Sequence, residues 1–273
     1  VSVAHSVSML ESTRTEPRLL RQLALLALPV FAEHALHVVV GVTDTYLANH
    51  LVRIDGLTGE ALQAAHTTNQ AAGAAVGSIT YITWFIGLIV ASIGTGATAI
   101  IARAVGARHR RLANKVCGQS ILCAAFLGLI VAALMYLLAS PLARAIQLEG
   151  QAAVFFVDYI RILVVGLPFA VIMFTANACL RGSGDTVTPA AAMVTVDVVN
   201  FVLSVGLTWG IWFFPEIGFN GIAIGTTAAY VAGGLLQIVV LIIGRKNLRL
   251  FPHRLRPDLH TIKRIVRIGI PAG

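Results

Sequence analysis

Residues 61–102 contain no Asp, Glu, Lys or Arg. A soluble fold has no place for so long an uncharged run. As one helix at about 1.5 Å per residue it would be roughly twice the thickness of a bilayer core. The rest of the chain is of the same kind, with 57% of its 273 residues hydrophobic and 12% charged. A soluble domain needs about a quarter of its residues charged to cover its surface. An ordinary soluble enzyme, a nucleic-acid-binding domain and a disordered chain are therefore excluded. The expected class is an all-α polytopic membrane protein embedded in a lipid bilayer.

Apolar spans are expected at about 20–48, 73–102, 116–140, 154–180, 187–214 and 221–244, each near the roughly 20 residues that cross a membrane. Residues 20–244 thus predict a six-helix transmembrane bundle. Residues 61–70 are polar enough to lie outside its apolar core. Pro141, Pro189 and Pro215 fall at or near span ends, where a missing N–H costs least. Residues 1–19 are polar and mixed, without the apolar core of a cleavable signal peptide, and residues 245–261 form a basic linker. Cys117, Cys123 and Cys179 sit in apolar stretches without clustering as ligands do, and read as packing residues.

Charge gives the orientation. Of the 20 Lys and Arg residues, only Arg53, Arg144 and Arg161 lie on one side of these spans. The others precede the first span (Arg14, Arg18, Arg21), follow the second (Arg103, Arg108, Arg110, Arg111, Lys115) and fourth (Arg181), or lie beyond the sixth. The positive-inside rule then places both ends of the segment in the cytoplasm. The net charge of +8 reads as topogenic, and no nucleic-acid partner is expected. Residues 262–271 repeat the pattern of residues 20–29: a basic start, an apolar run and a proline. On that reading residues 262–273 begin a seventh helix, and the chain is the first half of a twelve-helix, two-lobe protein of parallel repeats. Its partner would be a C-terminal lobe.

Ionisable groups within the spans are costly and point to a wet cavity or a partner. Glu33, His37 and Asp44 fall within about 40° of one another on a helical wheel, with His34 to the side. They form either a polar seam that exchanges protons or holds a cation, or a Glu33–His37 internal pair with Asp44 near an interface. The Glu33-His-Ala-Leu-His37 order does not match a zinc-hydrolase motif, and no metal other than Na⁺ is expected. Asp197, Asn200 and Ser204 share a face of the fifth span, and the sixth carries Thr226, Thr227, Tyr230 and Gln237. Carboxylate, amide and hydroxyl oxygens suit Na⁺ or a titrating carboxylate, though such residues also serve as interhelical hydrogen bonds. Residues 180–189, Leu180-Arg-Gly-Ser-Gly-Asp-Thr-Val-Thr-Pro189, form a tight turn without the Gly-Lys-Ser/Thr ending of a phosphate loop. With no nucleophile–base pair and no ATP site, an enzyme is not expected, and no cofactor beyond H⁺ or Na⁺.

Four passages resemble the multidrug and toxic compound extrusion (MATE) transporters, of the wider multidrug/oligosaccharidyl-lipid/polysaccharide exporter superfamily. They are Pro29 through Val42-Thr-Asp44-Thr45; residues 98–106 with Arg103-Ala-Val-Gly-Ala-Arg108; the Arg-Gly-x-Gly-Asp-Thr-x-x-Pro turn ending at Pro189; and Asn200 with Gly218-Phe-Asn-Gly-Ile-Ala-Ile-Gly-Thr226. The resemblance implies secondary active efflux of cationic or amphiphilic small molecules by alternating access, in exchange for H⁺ or Na⁺. The setting it implies is the bacterial inner (plasma) membrane. It makes Asp44 the leading coupling residue, with Asn200 and Thr226 completing a proton or Na⁺ site and Pro29 the hinge of the first helix. Some members carry a second acid or amide where this chain has Ser204. Asp197 is expected to stand in for it, with Glu33, His37 and Tyr230 as further cavity groups. The rival readings are a flippase for a lipid-linked oligosaccharide, which would favour a basic cavity, and a non-transporting membrane scaffold.

Overall fold

The computed structural model describes residues 2–245, 248–251, 255–269 and 271. Lys246 and Arg254 of the basic linker, and Ile270, Ala272 and Gly273 of the expected seventh helix, lie outside the described residues. Eight helices follow one another: α1 (Ser2–Asn49), α2 (Gly59–Gly106), α3 (Arg110–Ala145), α4 (Gly150–Leu163), α5 (Leu167–Gly182), α6 (Val187–Trp209), α7 (Phe219–Ile243) and α8 (Leu259–Gly269). The described residues hold no strand beyond an isolated Arg245–Leu248 bridge. Helices α2, α3, α6 and α7 are each long and apolar enough to cross a membrane, and α4 with α5 makes a fifth span if the bent pair is taken as one. The first expected span falls within α1, whose apolar run is interrupted by Glu33, His34, His37 and Asp44. The molecule is an integral membrane protein built as an all-α bundle. Its outer surface agrees, since Trp84, Phe85, Phe126 and Leu137 are all well exposed.

Three expectations about the elements change. The second helix does not begin near Gly73 but runs unbroken from Gly59, with residues 61–70 in its first turns. Alanine-rich text is strongly helix-forming. Asn69 in this stretch ties down the preceding loop through Val52 N–H to its Oδ1 (2.8 Å) and its Nδ2 to Val52 O (3.0 Å). Pro141 does not end α3, which continues to Ala145. The fourth span is not one rod, because α4 and α5 meet at 61°. Pro168, in the first turn of α5, needs no N–H there. Gly128 lets α3 come close at this bend, since a Cβ there would lie 2.6 Å from Pro168 Cα.

Small residues set the packing, as in membrane bundles generally. Helix α6 packs along both α7 and α1, and α5 sits against α2, α3 and α7. On α7, Gly221 and Gly225 are spaced four apart and face α6. A Cβ on Gly221 would fall 2.6 Å from the Leu207 carbonyl carbon, and one on Gly225 would collide with Ser204. The turn between α5 and α6 is tight, as its composition predicts. Gly184 adopts φ +84°, and Asp185 caps α6 by accepting from Thr188 N–H (3.1 Å) and Thr188 Oγ1 (2.7 Å).

After α7 the chain returns as a strap. Leu248 and Leu250 are buried, and Leu250 N–H bonds to Leu241 O (2.8 Å). Gln119 of α3 holds the strap at both of its amide ends, donating to Arg256 O (2.9 Å) and accepting from Asp258 N–H (2.8 Å). Asp258 also pairs with Lys115 and accepts from Thr261 Oγ1 (2.8 Å) in the first turn of α8. Helix α8 lies along α2, with Gly96 against Ile265 and Gly269 against Ser92.

Candidate functional site

Asp44 sits near the end of α1 and is 4% exposed. Three helices reach it. Tyr159 of α4 donates to Oδ2 (2.8 Å), Thr226 of α7 donates to the same oxygen (2.6 Å), and Asn200 of α6 donates through Nδ2 to Oδ1 (3.2 Å). The same Asn200 amide reaches Thr226 Oγ1 (3.0 Å) and Ser204 Oγ (3.3 Å). Tyr159, Asn200, Ser204 and Thr226 are all buried. Among the described residues Asp44 has no salt-bridge partner, so all its hydrogen bonds come from neutral groups. The glycine contact between α6 and α7 brings Ser204, Asn200 and Thr226 this close.

One feature of this cluster points to a ligand. Asn200 Oδ1 is buried and has no hydrogen-bond partner, although buried polar atoms nearly always find one. It stands with the Asp44 carboxylate and the hydroxyls of Thr226, Ser204 and Tyr159. These are hard oxygen donors, the set that holds a small hard cation. The same carboxylate is an equally suitable proton acceptor.

Glu33 lies elsewhere. Eleven residues before Asp44, about 16 Å along the helix, it is also buried (5% exposed). Arg181 Nη1, at the end of α5, lies 2.6 Å from each of its carboxylate oxygens. Asn177 Nδ2 donates to Oε1 (2.9 Å), and Gln237 Nε2 of α7 donates in turn to Asn177 Oδ1 (2.6 Å). The alternative reading, a Glu33–His37 pair, is not formed among the described residues. His37 instead meets the edge of Phe174, with centroids 5.2 Å apart, and His34 bonds Val30 O in its own helix (2.9 Å). A charged guanidinium outcompetes a neutral imidazole for a carboxylate. A groove of about 660 Å³ opens beside this pair, lined by Ala27, Val30, Phe31, His34, Arg181, Gly184 and Thr186.

The remaining expected groups are less engaged. Asp197 is only half-buried, yet neither carboxylate oxygen has a hydrogen-bond partner, and it does not join the Asp44 cluster. Tyr230, one turn beyond Thr226, packs edge-on to Phe174 and makes no hydrogen bond. Pro29 lies inside α1, one turn before Glu33. The sequence reading missed Tyr159 and Asn177, and it counted Arg181 only as a topogenic charge. For Arg181 the signal was there: a basic residue at a span end on the same side as Glu33.

The MatE family model matches residues 61–206. A probable multidrug resistance protein NorM of Thermotoga maritima is 28% identical over 263 residues, covering 94% of this chain and 52% of its own length. An FAD transporter of Shewanella oneidensis is 26% identical, over 73% of this chain and 45% of its own. A crystal structure of MATE in the bent conformation superposes with a TM-score of 0.77 at 24% identity, over 91% of this chain and 51% of its own. The chain thus spans about half the length of the relatives it matches.

Proposed function

This chain belongs to the MatE family, and from that premise we propose that it serves as the N-terminal lobe of a secondary active antiporter. The transporter would export cationic or amphiphilic small molecules in exchange for H⁺ or Na⁺, together with a C-terminal lobe of the kind its longer relatives have room for. The observation that carries this is Asp44: a buried carboxylate met only by neutral donors, with the unpartnered Asn200 Oδ1 beside it. An ionised carboxylate so placed gains strongly when a proton or small cation arrives, because burial without a counter-charge is costly. Asp44, Asn200 and Thr226 form the coupling site, with Ser204 and Tyr159 completing its oxygen lining. Arrival of the ion or of a cationic substrate neutralises the same carboxylate, so the two compete, and competition for one charge is the basis of exchange.

Alternating access follows if α1 adjusts when that charge is neutralised. Hydrogen bonds to an ionised acceptor are roughly twice as strong as neutral ones, so neutralisation loosens the outer half of α1 from α4, α6 and α7. Pro29 leaves one carbonyl of α1 without its N–H partner, which weakens the helix on the cytoplasmic side of this half. The basic end of the bundle faces the cytoplasm of a bacterial inner membrane in this reading. The test is efflux of a fluorescent organic cation from vesicles bearing the full-length protein, with Na⁺ and pH gradients imposed separately. Wild-type efflux should follow one gradient and be lost in Asp44→Asn. Efflux by Asp44→Asn at the wild-type rate under either gradient would overturn the proposal.

A further inference from the structure

Helix α1 is held to the bundle through two carboxylates three turns apart, and the two attachments differ in kind. Eleven residues at about 100° each bring Glu33 and Asp44 back to the same face. The Asp44 attachment consists of Tyr159, Asn200 and Thr226, all neutral, and its strength depends on the charge of Asp44. The Glu33 attachment contains Arg181, whose nitrogen contacts both carboxylate oxygens, and guanidinium does not lose its proton in proteins. Asn177 and Gln237 extend it to α5 and α7, and Asn177, Gln237 and Glu33 are all buried. Arg181 belongs to the turn that Asp185 braces as the cap of α6. The guanidinium of this attachment therefore keeps its charge whatever occupies the Asp44 site.

We propose that Glu33 and Arg181 are positioning residues that anchor the inner half of α1, so that only the part of the helix beyond Glu33 moves when Asp44 is neutralised. The consequence for transport rests on the antiport reading above; the anchor itself does not. It also places the moving segment at residues 34–49. Gly41 lies in that segment with open space around it, since a Cβ there would meet nothing within 4 Å. Pro29 lies on the other side of the anchor. The ion pair thus limits how far a bend at Pro29 can carry the helix away from α5.

Distances between spin labels in the full-length protein in lipid nanodiscs test this, with Cys117, Cys123 and Cys179 replaced by Ala. One pair reports the inner half of α1 between Pro29 and the anchor (Phe31→Cys with Ile243→Cys) and another the outer half (Tyr46→Cys with Phe213→Cys). All four native side chains are well exposed. Asp44→Asn should shift the outer distance and leave the inner one unchanged. Glu33→Gln should broaden the inner distribution, as should Arg181→Gln, while Arg181→Lys, which keeps the charge, should recover much of the wild-type width. An inner distance that shifts with Asp44→Asn as much as the outer one overturns the anchor. So does an inner distribution indifferent to Glu33→Gln and Arg181→Gln, or no shift at either end with Asp44→Asn. Failure of the antiport reading shows separately, as efflux retained by Asp44→Asn whatever the distances do.

Discussion

The Tyr159 hydroxyl reaches Asp44 across 115 residues of sequence and is one of three donors to that carboxylate among the described residues. A hydrogen bond to a charged group contributes about 1.5–3 kcal/mol and favours the ionised, unoccupied carboxylate, so Tyr159→Phe should raise the apparent affinity for a coupling proton by roughly ten-fold or more. Tyr230→Phe is the matched control: Tyr230 makes no hydrogen bond, and its loss should leave that affinity within about two-fold of wild type. Flux measured against graded ion concentration separates the two. Asp197 tests the opposite case. Its carboxylate oxygens are unpartnered and outside the Asp44 cluster, so Asp197→Asn should keep ion-coupled efflux and match or exceed wild-type thermal stability in detergent. Loss of coupling comparable to Asp44→Asn would restore Asp197 to the site. The grouping of Asp44, Asn200 and Thr226 was legible through the resemblance, whereas helical phase alone set Asp44 with Glu33 and His37, and Asn200 and Ser204 with Asp197. Tyr159 was not legible, since a tyrosine near a span end reads as an interfacial anchor. Glu33's partner, 148 residues away, was legible only as a basic residue at a span end on the same side, because pairing across a bundle leaves no periodicity within either helix.

At the scale of elements, the site depends on how closely α6 and α7 approach. Gly225 faces Ser204, one turn from Asn200, so a side chain there must displace the helix that carries two members of the cluster. Overpacking of this kind costs about 1–3 kcal/mol. Gly225→Val should therefore lower the melting temperature and also abolish ion-coupled efflux, whereas Gly77→Val, where a Cβ would meet nothing within 4 Å, should affect neither to the same degree. Retained coupling in Gly225→Val would show that the α6–α7 contact does not set the site. The existence and order of the spans were legible because charge is nearly confined to their ends. The break between α4 and α5 was hidden, since Val164, Val165 and Gly166 are as apolar as any span interior. Pro168, which the bend accommodates, stands just beyond it. Helical text at residues 61–70 was likewise misjudged from polarity, when alanine content decides whether a helix continues.

For the molecule as a whole, the strap after α7 decides what moves as one piece. Gln119 and Lys115 of α3 fasten it at Arg256 and Asp258, so residues 255–258 travel with the bundle, and α8 starts from a fixed point. The Lys115 ammonium, then the Thr261 hydroxyl, hold the Asp258 carboxyl well below the usual carboxylate range. A folded value below the unfolded one, about 3.9 for Asp, stabilises fully above the unfolded value and is lost only as pH falls through the folded one. From about pH 8 to pH 5, above both values, the strap should therefore stay docked. Hydrogen exchange at the Arg249 and Asp258 amides, corrected for intrinsic rates, should show constant protection over that range. Asp258→Asn should lower protection throughout it by a pH-independent factor, since the lost charge is ionised at every point. Protection that fell toward pH 5 in the wild type would mean that another titrating group fastens the strap. Constant protection would instead confine any pH dependence of transport to groups within the bundle. The start of α8 would then be a rigid extension of the bundle, so that any movement of α8 relative to the bundle must be taken up beyond Asp258.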